Sequence, residues 1–250
     1  MTQPVEESRG ADHERFRLDH ERSRLNREKL TDDDADLLYD IIDITDRILT
    51  EHAIDYTIEG GTLLGHQRCG GLLPHDNDGD FDVLEADLPK VRALADEFAK
   101  YDLVLIETPG WGFQVSHQNS PDLEPGMWTN IDGSRTWTSK WPFLDLIAIA
   151  ENADTDRYIL AGDVALKDYP NYYLTQSDWK TPKERVNFGH LKLKAIAGED
   201  ARLAYLDRHY PNWRTHIEMV MDHRTNVYFD RPILCPVTTH DLTHRPRRGT

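Results

Sequence analysis

The sequence has little positive charge: among 250 residues, 29 are Lys or Arg and 45 are Asp or Glu, which gives a formal net charge of -16. A protein that neutralises nucleic-acid phosphates needs a basic face, so no nucleic-acid partner is predicted. Cysteine is also scarce, because only Cys69 and Cys235 occur and no CxxC pattern is present. This usage excludes a disulfide framework and a zinc knuckle and favours a reducing, cytoplasmic setting.

Long apolar runs are absent as well. No stretch approaches the 18 or more apolar residues of a membrane span, and the first 30 residues lack the apolar core of a signal peptide. We therefore predict no membrane span. Six Trp, ten Tyr and seven Phe still supply a core for one domain of this length. The predicted organisation is a charged, partly disordered N-terminal extension (1–30), one domain (31–225) and a loosely held C-terminal tail (226–250).

Apolar periodicity alternates between helix and strand. Thr31 is a predicted N-cap for a helix that runs to about His52. A strand at Tyr56–Glu59 is followed by a glycine turn and a helix from Thr62, and "GDFDVLEA" reads as a period-2 strand. The remaining predictions are one helix in "DLPKVRALADEFAKY" with Asp87 as N-cap, strands in "LVLIE", "WGFQVSH" and "PFLDLIAIA", a strand near Leu191–Leu193, and a helix carrying Leu203, Leu206 and Tyr210. The pattern predicts an α/β (α+β) fold.

One short acidic stretch concentrates the chemistry. In "PHDNDGDFDV", four aspartates alternate with other residues, at Asp76, Asp78, Asp80 and Asp82. Such crowding is costly unless a cation or water screens the carboxylates. Carboxylates two residues apart on a strand project to one face, where both can ligate one Mg²⁺ or Mn²⁺ through oxygen.

A glycine pair precedes this stretch. Gly60, Gly61 and Thr62 lie between a predicted strand and a predicted helix. Glycine lets backbone amides approach a phosphate closely, and the N-terminus of a helix favours an anion. The turn and the aspartates together predict a site for a metal-bound nucleoside diphosphate.

The stretch "GGTLLGHQRCGGLLPHDNDGDFDV" resembles the polymerase-beta-like nucleotidyltransferase superfamily and, more narrowly, the LicD and fukutin-related protein family. The resemblance implies a nucleotidyltransferase fold, with a small mixed β-sheet flanked by helices. It also implies a metal-dependent transferase that moves phosphocholine or a polyol phosphate from a CDP-linked donor to a glycan acceptor in cell-surface polysaccharide synthesis.

The same resemblance implies the site residues. Asp78 and Asp80 match the catalytic metal pair, and an alternative register pairs Asp80 with Asp82. Asp145, in "WPFLDLIAI", matches a third acid that is either a ligand or the general base. Gly60, Gly61, Thr62 and Arg68 match substrate-binding positions. The family pattern has different residue types where His75, Asn77 and Gly79 stand, which leaves the register open.

Three alternatives remain open at this point. The protein could be a nucleotidyltransferase proper, moving a nucleoside monophosphate from an NTP to a small molecule or protein. The acidic stretch also matches a calcium loop at Asp76, Asp78, Gly79 and Glu85, although Pro74 occupies its first ligand position; that reading gives a non-catalytic calcium-binding protein. The third alternative is that the acidic stretch is a solvated surface loop that binds no metal.

Overall fold

The computed structural model describes residues 31–76, 78–122, 139–222 and 227–249. The predicted N-terminal extension lies outside the described residues. The α-helices of this part are α1 (Asp32–Glu51), α2 (Gly60–Cys69), α3 (Leu88–Ala93), α4 (Ala95–Ala99), α5 (Asp163–Asp168), α6 (Gln176–Lys180) and α7 (Glu199–His209). The strands are β1 (Tyr56–Ile58), β2 (Gly79–Leu84), β3 (Leu103–Thr108), β4 (Gly112–His117), β5 (Phe143–Asn152), β6 (Arg157–Leu160), β7 (Leu174–Thr175), β8 (Glu184–Phe188), β9 (Leu191–Ala195), β10 (His216–Asp222) and β11 (Val227–Pro236).

Helix α1 begins where the sequence predicts. Thr31 Oγ1 accepts a hydrogen bond from the Asp34 backbone N–H at 3.1 Å, and the Asp34 carboxylate accepts one from the Thr31 N–H at 3.1 Å. This reciprocal capping box satisfies two N–H groups that the helix cannot pair internally. Along α1, buried residues recur at helical spacing, including Leu38, Ile41 and Ile42. That stripe packs into the main hydrophobic core.

In the described part of the chain, the central sheet is mixed and has seven strands. Its main path runs β1-β2-β5-β4-β3, and β6 and β7 extend it from the far end of β5. The pair β2 and β5 is parallel, whereas the other pairings in this sheet are antiparallel. A mixed sheet with flanking helices agrees with the predicted α+β class.

Gly79 explains one departure from the family pattern. It lies on the core face of β2, where a Cβ atom would come within 2.9 Å of Leu144 Cδ1 and 3.3 Å of Ile42 Cδ1. The two neighbouring side chains therefore occupy the space that an apolar residue at position 79 would fill.

Two predicted helices differ from the structure. Helix α2 starts at Gly60 rather than Thr62, so the glycine pair forms its first turn. The single helix predicted after Asp87 is two helices, α3 and α4, and Asp87 makes no side-chain cap. They separate at Leu94, whose N–H bonds to the Val91 carbonyl at 3.0 Å in a tight 3₁₀-type turn.

Strand β9 is longer than predicted and has a partner that was not predicted. It pairs antiparallel with β8, which contains alternating exposed and buried residues that end in Val186, Asn187 and Phe188. This period-2 pattern covers only a few residues, and Pro182 and the lysines on either side of it are not typical of a strand.

The predicted loosely held tail also differs from the structure. Residues 227–236 form β11, which pairs with β10. Beyond it, Arg247 pairs with Asp40 and Arg248 with Asp36, both on α1. The basic residues thus dock on the acidic face of α1, a long-range charge match that local composition cannot reveal.

Within the described ranges, no helix has both the length and the apolar character needed to cross a membrane.

Candidate functional site

The face of the sheet opposite α1 carries the acidic residues. In the parallel register of β2 and β5, Asp80 lies directly opposite Asp145. On the next strand, β4, Gln114 lies opposite Asp145. Because directly opposite residues point to the same face of a sheet, strand pairing brings together carboxylates that are 65 positions apart in the chain.

Asp78, Asp80 and Asp145 form a group in which one carboxylate oxygen from each lies within 4.8 Å of the others. Asp78 and Asp80 are half-buried, and Asp145 is buried. Opposite ligands of Mg²⁺ are about 4.2 Å apart, so small side-chain rotations bring these oxygens to ligating distance. An all-carboxylate set suits Mg²⁺ or Mn²⁺ rather than a thiolate-preferring metal.

The electrostatics of the group favour a cation. Loss of water and the nearby carboxylates of Asp80 and Asp76 raise the pKa of Asp78 well above its usual range. Burial, then Glu59 and other acids, likewise raises the pKa of Asp80. Like charges held together out of water resist ionisation, and a divalent cation between them reverses that penalty.

Asp145 is oriented by an aromatic residue. The Trp111 indole Nε1–H donates to Asp145 Oδ2 at 3.2 Å, and Trp111 immediately precedes β4. A donor on a carboxylate stabilises its ionised form, which is the form needed by a metal ligand or a general base. No local sequence signal links Trp111 to Asp145, which lies 34 positions further along the chain.

The first turn of α2 lies against these acids. The Asp80 carboxylate is 3.0 Å from the position that a Gly60 Cβ would occupy, and the Asp76 carboxylate is 2.3 Å from that of Gly61. Gly60 also has φ of +51°, in the left-handed region that favours glycine. The positive end of the α2 dipole therefore lies beside the carboxylates of Asp76 and Asp80.

Two buried residues behind this turn were missed at the sequence level. Tyr205 donates its hydroxyl to Glu59 Oε2 at 3.0 Å and accepts a long hydrogen bond, 3.4 Å, from the Gly60 N–H. Burial, then Asp82, raises the pKa of Glu59 well above its usual range. Glu59 directly precedes the glycine pair in the sequence, but Tyr205 lies on the distant helix α7 and has no such signal.

Thr62 has a different contact from the predicted one. Its buried Oγ1 accepts a hydrogen bond from the Asp80 backbone N–H at 2.8 Å. The threonine thereby fixes the start of β2 against α2 and positions Asp80. Its contact with a substrate phosphate stays a prediction.

Asp82 lies apart from the three-carboxylate group. It is fully buried and accepts a hydrogen bond from the Tyr172 hydroxyl. Burial raises the pKa of Asp82 to about 7, although the Tyr172 hydrogen bond opposes the shift. In the described residues, the structure therefore groups Asp80 with Asp78 rather than with Asp82.

Arg68 faces the turn that follows α7. Its Nη2 donates to the backbone carbonyls of Trp213, at 2.5 Å, and His216, at 3.2 Å. Its Nε and Nη1 are buried and have no hydrogen-bond partner among the residues that the structure describes. These contacts tie the end of α2 to the start of β10, and phosphate binding by Arg68 stays a prediction.

The calcium-loop alternative fails on geometry. It requires Glu85 to fold back towards Asp76 and Asp78. Instead, β2 is extended, and Glu85 is exposed at its far end. At about 3.3 Å per residue, seven residues place Glu85 roughly 20 Å from Asp78, so these residues do not form one calcium loop.

Comparison with known proteins places the chain in a family. The sequence matches the family described as LicD/FKTN/FKRP, nucleotidyltransferase domain, over residues 53–195. An uncharacterized protein of Rickettsia prowazekii (strain Madrid E) is 22% identical over 192 residues, which are 77% of this chain and 60% of that protein. An uncharacterized protein of Rickettsia typhi is 24% identical over 192 residues, 77% of this chain and 51% of that protein. The chain thus spans between half and two thirds of the length of these relatives.

The matched region contains α2, β2 and β5, and with them the glycine pair and the three grouped carboxylates. The match covers more than half of the chain. The chain therefore belongs to the LicD family, and its nucleotidyltransferase domain includes the acidic site described above.

Proposed function

We propose that the protein is a metal-dependent transferase that moves a phospho-alcohol, such as phosphocholine or a polyol phosphate, from a CDP-linked donor to a glycan hydroxyl. The observation that carries the proposal is the convergence of Asp78, Asp80 and Asp145 beside the N-terminus of α2. Family membership supports a transferase, and the donor and acceptor are part of the proposal.

Each residue has a role in this proposal. Asp78, Asp80 and Asp145 hold Mg²⁺ or Mn²⁺, which when bound offsets charge on the donor phosphates and on the leaving group. The amides of Gly61 and Thr62, in the first turn of α2, face the donor diphosphate. An acceptor hydroxyl loses its proton to Asp145 or to water and attacks the phosphorus that carries the alcohol, so that a new P–O bond forms to the glycan and the P–O bond to CMP breaks.

The products test the proposal. The protein is incubated with CDP-choline or CDP-ribitol and Mg²⁺, with a glycan acceptor, and CMP is quantified by chromatography. CMP release that needs the metal and is lost in Asp145→Asn supports the proposal. The matched control is Asp154→Asn, which makes the same charge change at an exposed turn. Pyrophosphate release from an NTP, without CMP release from any CDP-alcohol, would instead favour the nucleotidyltransferase alternative.

Replacing Gly61 by alanine should weaken metal binding without unfolding the protein. The new Cβ would lie 2.3 Å from the Asp76 carboxylate, so Asp76 must move, and Asp76 hydrogen-bonds the side chain of Asp78. Alanine is a better helix former than glycine by about 1 kcal/mol, which keeps α2 stable. Mn²⁺ titration followed by electron paramagnetic resonance measures the affinity.

A glycine outside the site is the control. Gly198 has φ of +84°, in the left-handed region that favours glycine, so Gly198→Ala should lower the melting temperature without changing the Mn²⁺ affinity. Unchanged Mn²⁺ affinity in Gly61→Ala would contradict the placement of Asp76 beside the metal ligands.

A further inference from the structure

The segment His244–Arg248, here called the arginine segment, lies against the acidic face of α1. Its ion pairs join Arg245 to Asp32 at 2.8 Å, Arg247 to Asp40 at 2.8 and 3.1 Å, and Arg248 to Asp36 at 2.7 Å and to Asp33. Isolated exposed pairs contribute little. Here three arginines meet four aspartates of one helix, so the pairs also relieve repulsion within α1.

The arginine segment also contacts the turn that follows α2. The Arg245 N–H donates to the Leu72 carbonyl at 3.0 Å, and His244 Nδ1 lies 3.0 Å from the Cys69 carbonyl oxygen. Leu72 and Arg245 form an isolated antiparallel β-bridge. The segment is therefore hydrogen-bonded to the chain just before the acidic stretch.

The Tyr39 hydroxyl joins the two contacts. It donates to the Arg245 carbonyl at 2.7 Å and accepts from the Leu72 N–H at 3.1 Å. Tyr39 is fully buried on α1, and burial raises its pKa to about 12, so the hydroxyl keeps its proton at neutral pH. One phenol thus links α1, the arginine segment and the turn.

The turn is packed too closely to shift without moving its neighbours. A Cβ on Gly71 would lie 2.8 Å from the Tyr39 hydroxyl, 2.9 Å from the His244 ring and 3.0 Å from the Gly189 nitrogen. The Gly189 N–H also donates to the Gly70 carbonyl at 2.6 Å. The turn is therefore held from three sides, by α1, by the arginine segment and by the β8–β9 connection.

This turn leads directly to the metal-ligand candidates. Leu72 and Leu73 are 2% and 3% exposed, and the Asp76 N–H bonds back to the Leu73 carbonyl at 3.2 Å. The side chains of Asp76 and Asp78 in turn share a hydrogen bond, in which the protonated carboxyl of one residue donates to the other. The position of Leu72 consequently sets where Asp76 and Asp78 lie relative to Asp80, which the sheet holds independently.

We infer that Tyr39 and the arginine segment are positioning elements for the metal site: they hold the Gly70–Leu72 turn so that Asp78 meets Asp80 and Asp145. The inference rests on the proposed function, because it assigns the carboxylates to a metal. Salt screens exposed ion pairs, so high ionic strength should loosen the arginine segment and weaken metal binding along with it.

Two variants test the inference. Tyr39→Phe removes only the hydroxyl, and Arg247→Ala combined with Arg248→Ala removes the ion pairs to α1. Mn²⁺ affinity is measured by electron paramagnetic resonance well below the melting temperature of each variant. We expect Tyr39→Phe to weaken Mn²⁺ binding about three- to tenfold, the effect of losing one ordering hydrogen bond. The paired arginine variant should weaken Mn²⁺ binding by a similar factor at low salt. Its Mn²⁺ affinity should also depend less on salt concentration than that of the wild type.

Matched controls separate positioning from general destabilisation. Tyr101→Phe removes a phenol hydroxyl from a partly exposed ring, and Arg92→Ala removes an exposed ion pair to Glu107. Neither should alter Mn²⁺ affinity. Equal Mn²⁺ affinity in the wild type, Tyr39→Phe and the paired arginine variant would overturn the inference.

Hydrogen exchange in the absence of metal distinguishes a failure of the positioning inference from a failure of the proposed function. Faster exchange of the Leu72 amide in Tyr39→Phe is the expected result, because that amide loses its acceptor. Unchanged exchange would overturn the positioning role itself. Faster exchange in a protein that binds no Mn²⁺ would show that Tyr39 holds the Leu72 amide. It would nevertheless overturn the proposed function and, with it, the assignment of the carboxylates to a metal site.

Discussion

Replacing Asp80 by asparagine should reduce transfer activity by about a thousandfold or more while raising the melting temperature of the metal-free protein. The activity falls because a metal that offsets charge on transferred phosphate contributes several kcal/mol, and Asp80 belongs to the three-carboxylate group that is proposed to hold it. The stability rises because asparagine removes a carboxylate whose pKa is raised by burial and by Glu59, Asp76 and Asp145. Each unit of such a shift costs about 1.4 kcal/mol.

Calorimetry in EDTA and a CMP-release assay measure the two effects on the same sample. In a protein of this size, about 1 kcal/mol corresponds to roughly 2 to 4 °C of melting temperature. Asp154→Asn, at an exposed turn, is the control and should change neither quantity. A variant that loses activity and also melts at a lower temperature would indicate that Asp80 holds the fold together, contrary to the account.

The metal-free protein should lose stability as the pH rises from about 5 to 7.5. Asp78, Asp80 and Asp82 have raised pKa values, to about 7 for Asp82. Between the unfolded pKa near 4 and these raised values, the folded state binds more protons than the unfolded state. The contribution of these carboxylates to stability therefore decreases with rising pH across this window, whereas an ion-paired carboxylate gives the opposite dependence. His66 and His209, whose pKa values burial lowers, contribute a smaller slope of the opposite sign.

Melting temperatures in EDTA across this pH range measure the effect. Adding Mn²⁺ at pH 7.5 should restore the lost stability, because it binds the ionised carboxylates of the folded state. The net charge of -16 produces a slope of the same sign, so Asp80→Asn is the necessary comparison and should flatten the slope. Equal slopes in the wild type and Asp80→Asn would contradict the assignment of the effect to the acidic group.

Local patterns predicted the elements that position the site. Thr31 and Asp34 form the capping box of α1, and the alternation in "GDFDVLEA" places Phe81 and Val83 in the core. These signals are readable because capping and strand alternation depend on residues a few positions apart. The family resemblance supplied what local patterns lack, namely that Asp145 belongs with Asp78 and Asp80.

The parts that sequence reasoning missed depend on long-range contacts. Tyr205 reaches Glu59 across 146 positions, and the Tyr39 hydroxyl reaches the Arg245 carbonyl across 206. Neither tyrosine differs in its local pattern from a core residue. The basic ending "HRPRRG" belongs to the tail that was predicted to be loosely held, because local composition does not show that Arg247 and Arg248 pair with aspartates of α1.

The central claim is that Asp78, Asp80 and Asp145 hold one divalent cation. Crystals of the protein soaked in Mn²⁺ and CDP, measured at the manganese absorption edge, test it most directly. The account predicts one anomalous difference peak within about 2.0–2.4 Å of a carboxylate oxygen from each residue, beside the first turn of α2. A protein that binds Mn²⁺ elsewhere, or a site in which these carboxylates contact no ion at saturating Mn²⁺, would contradict it.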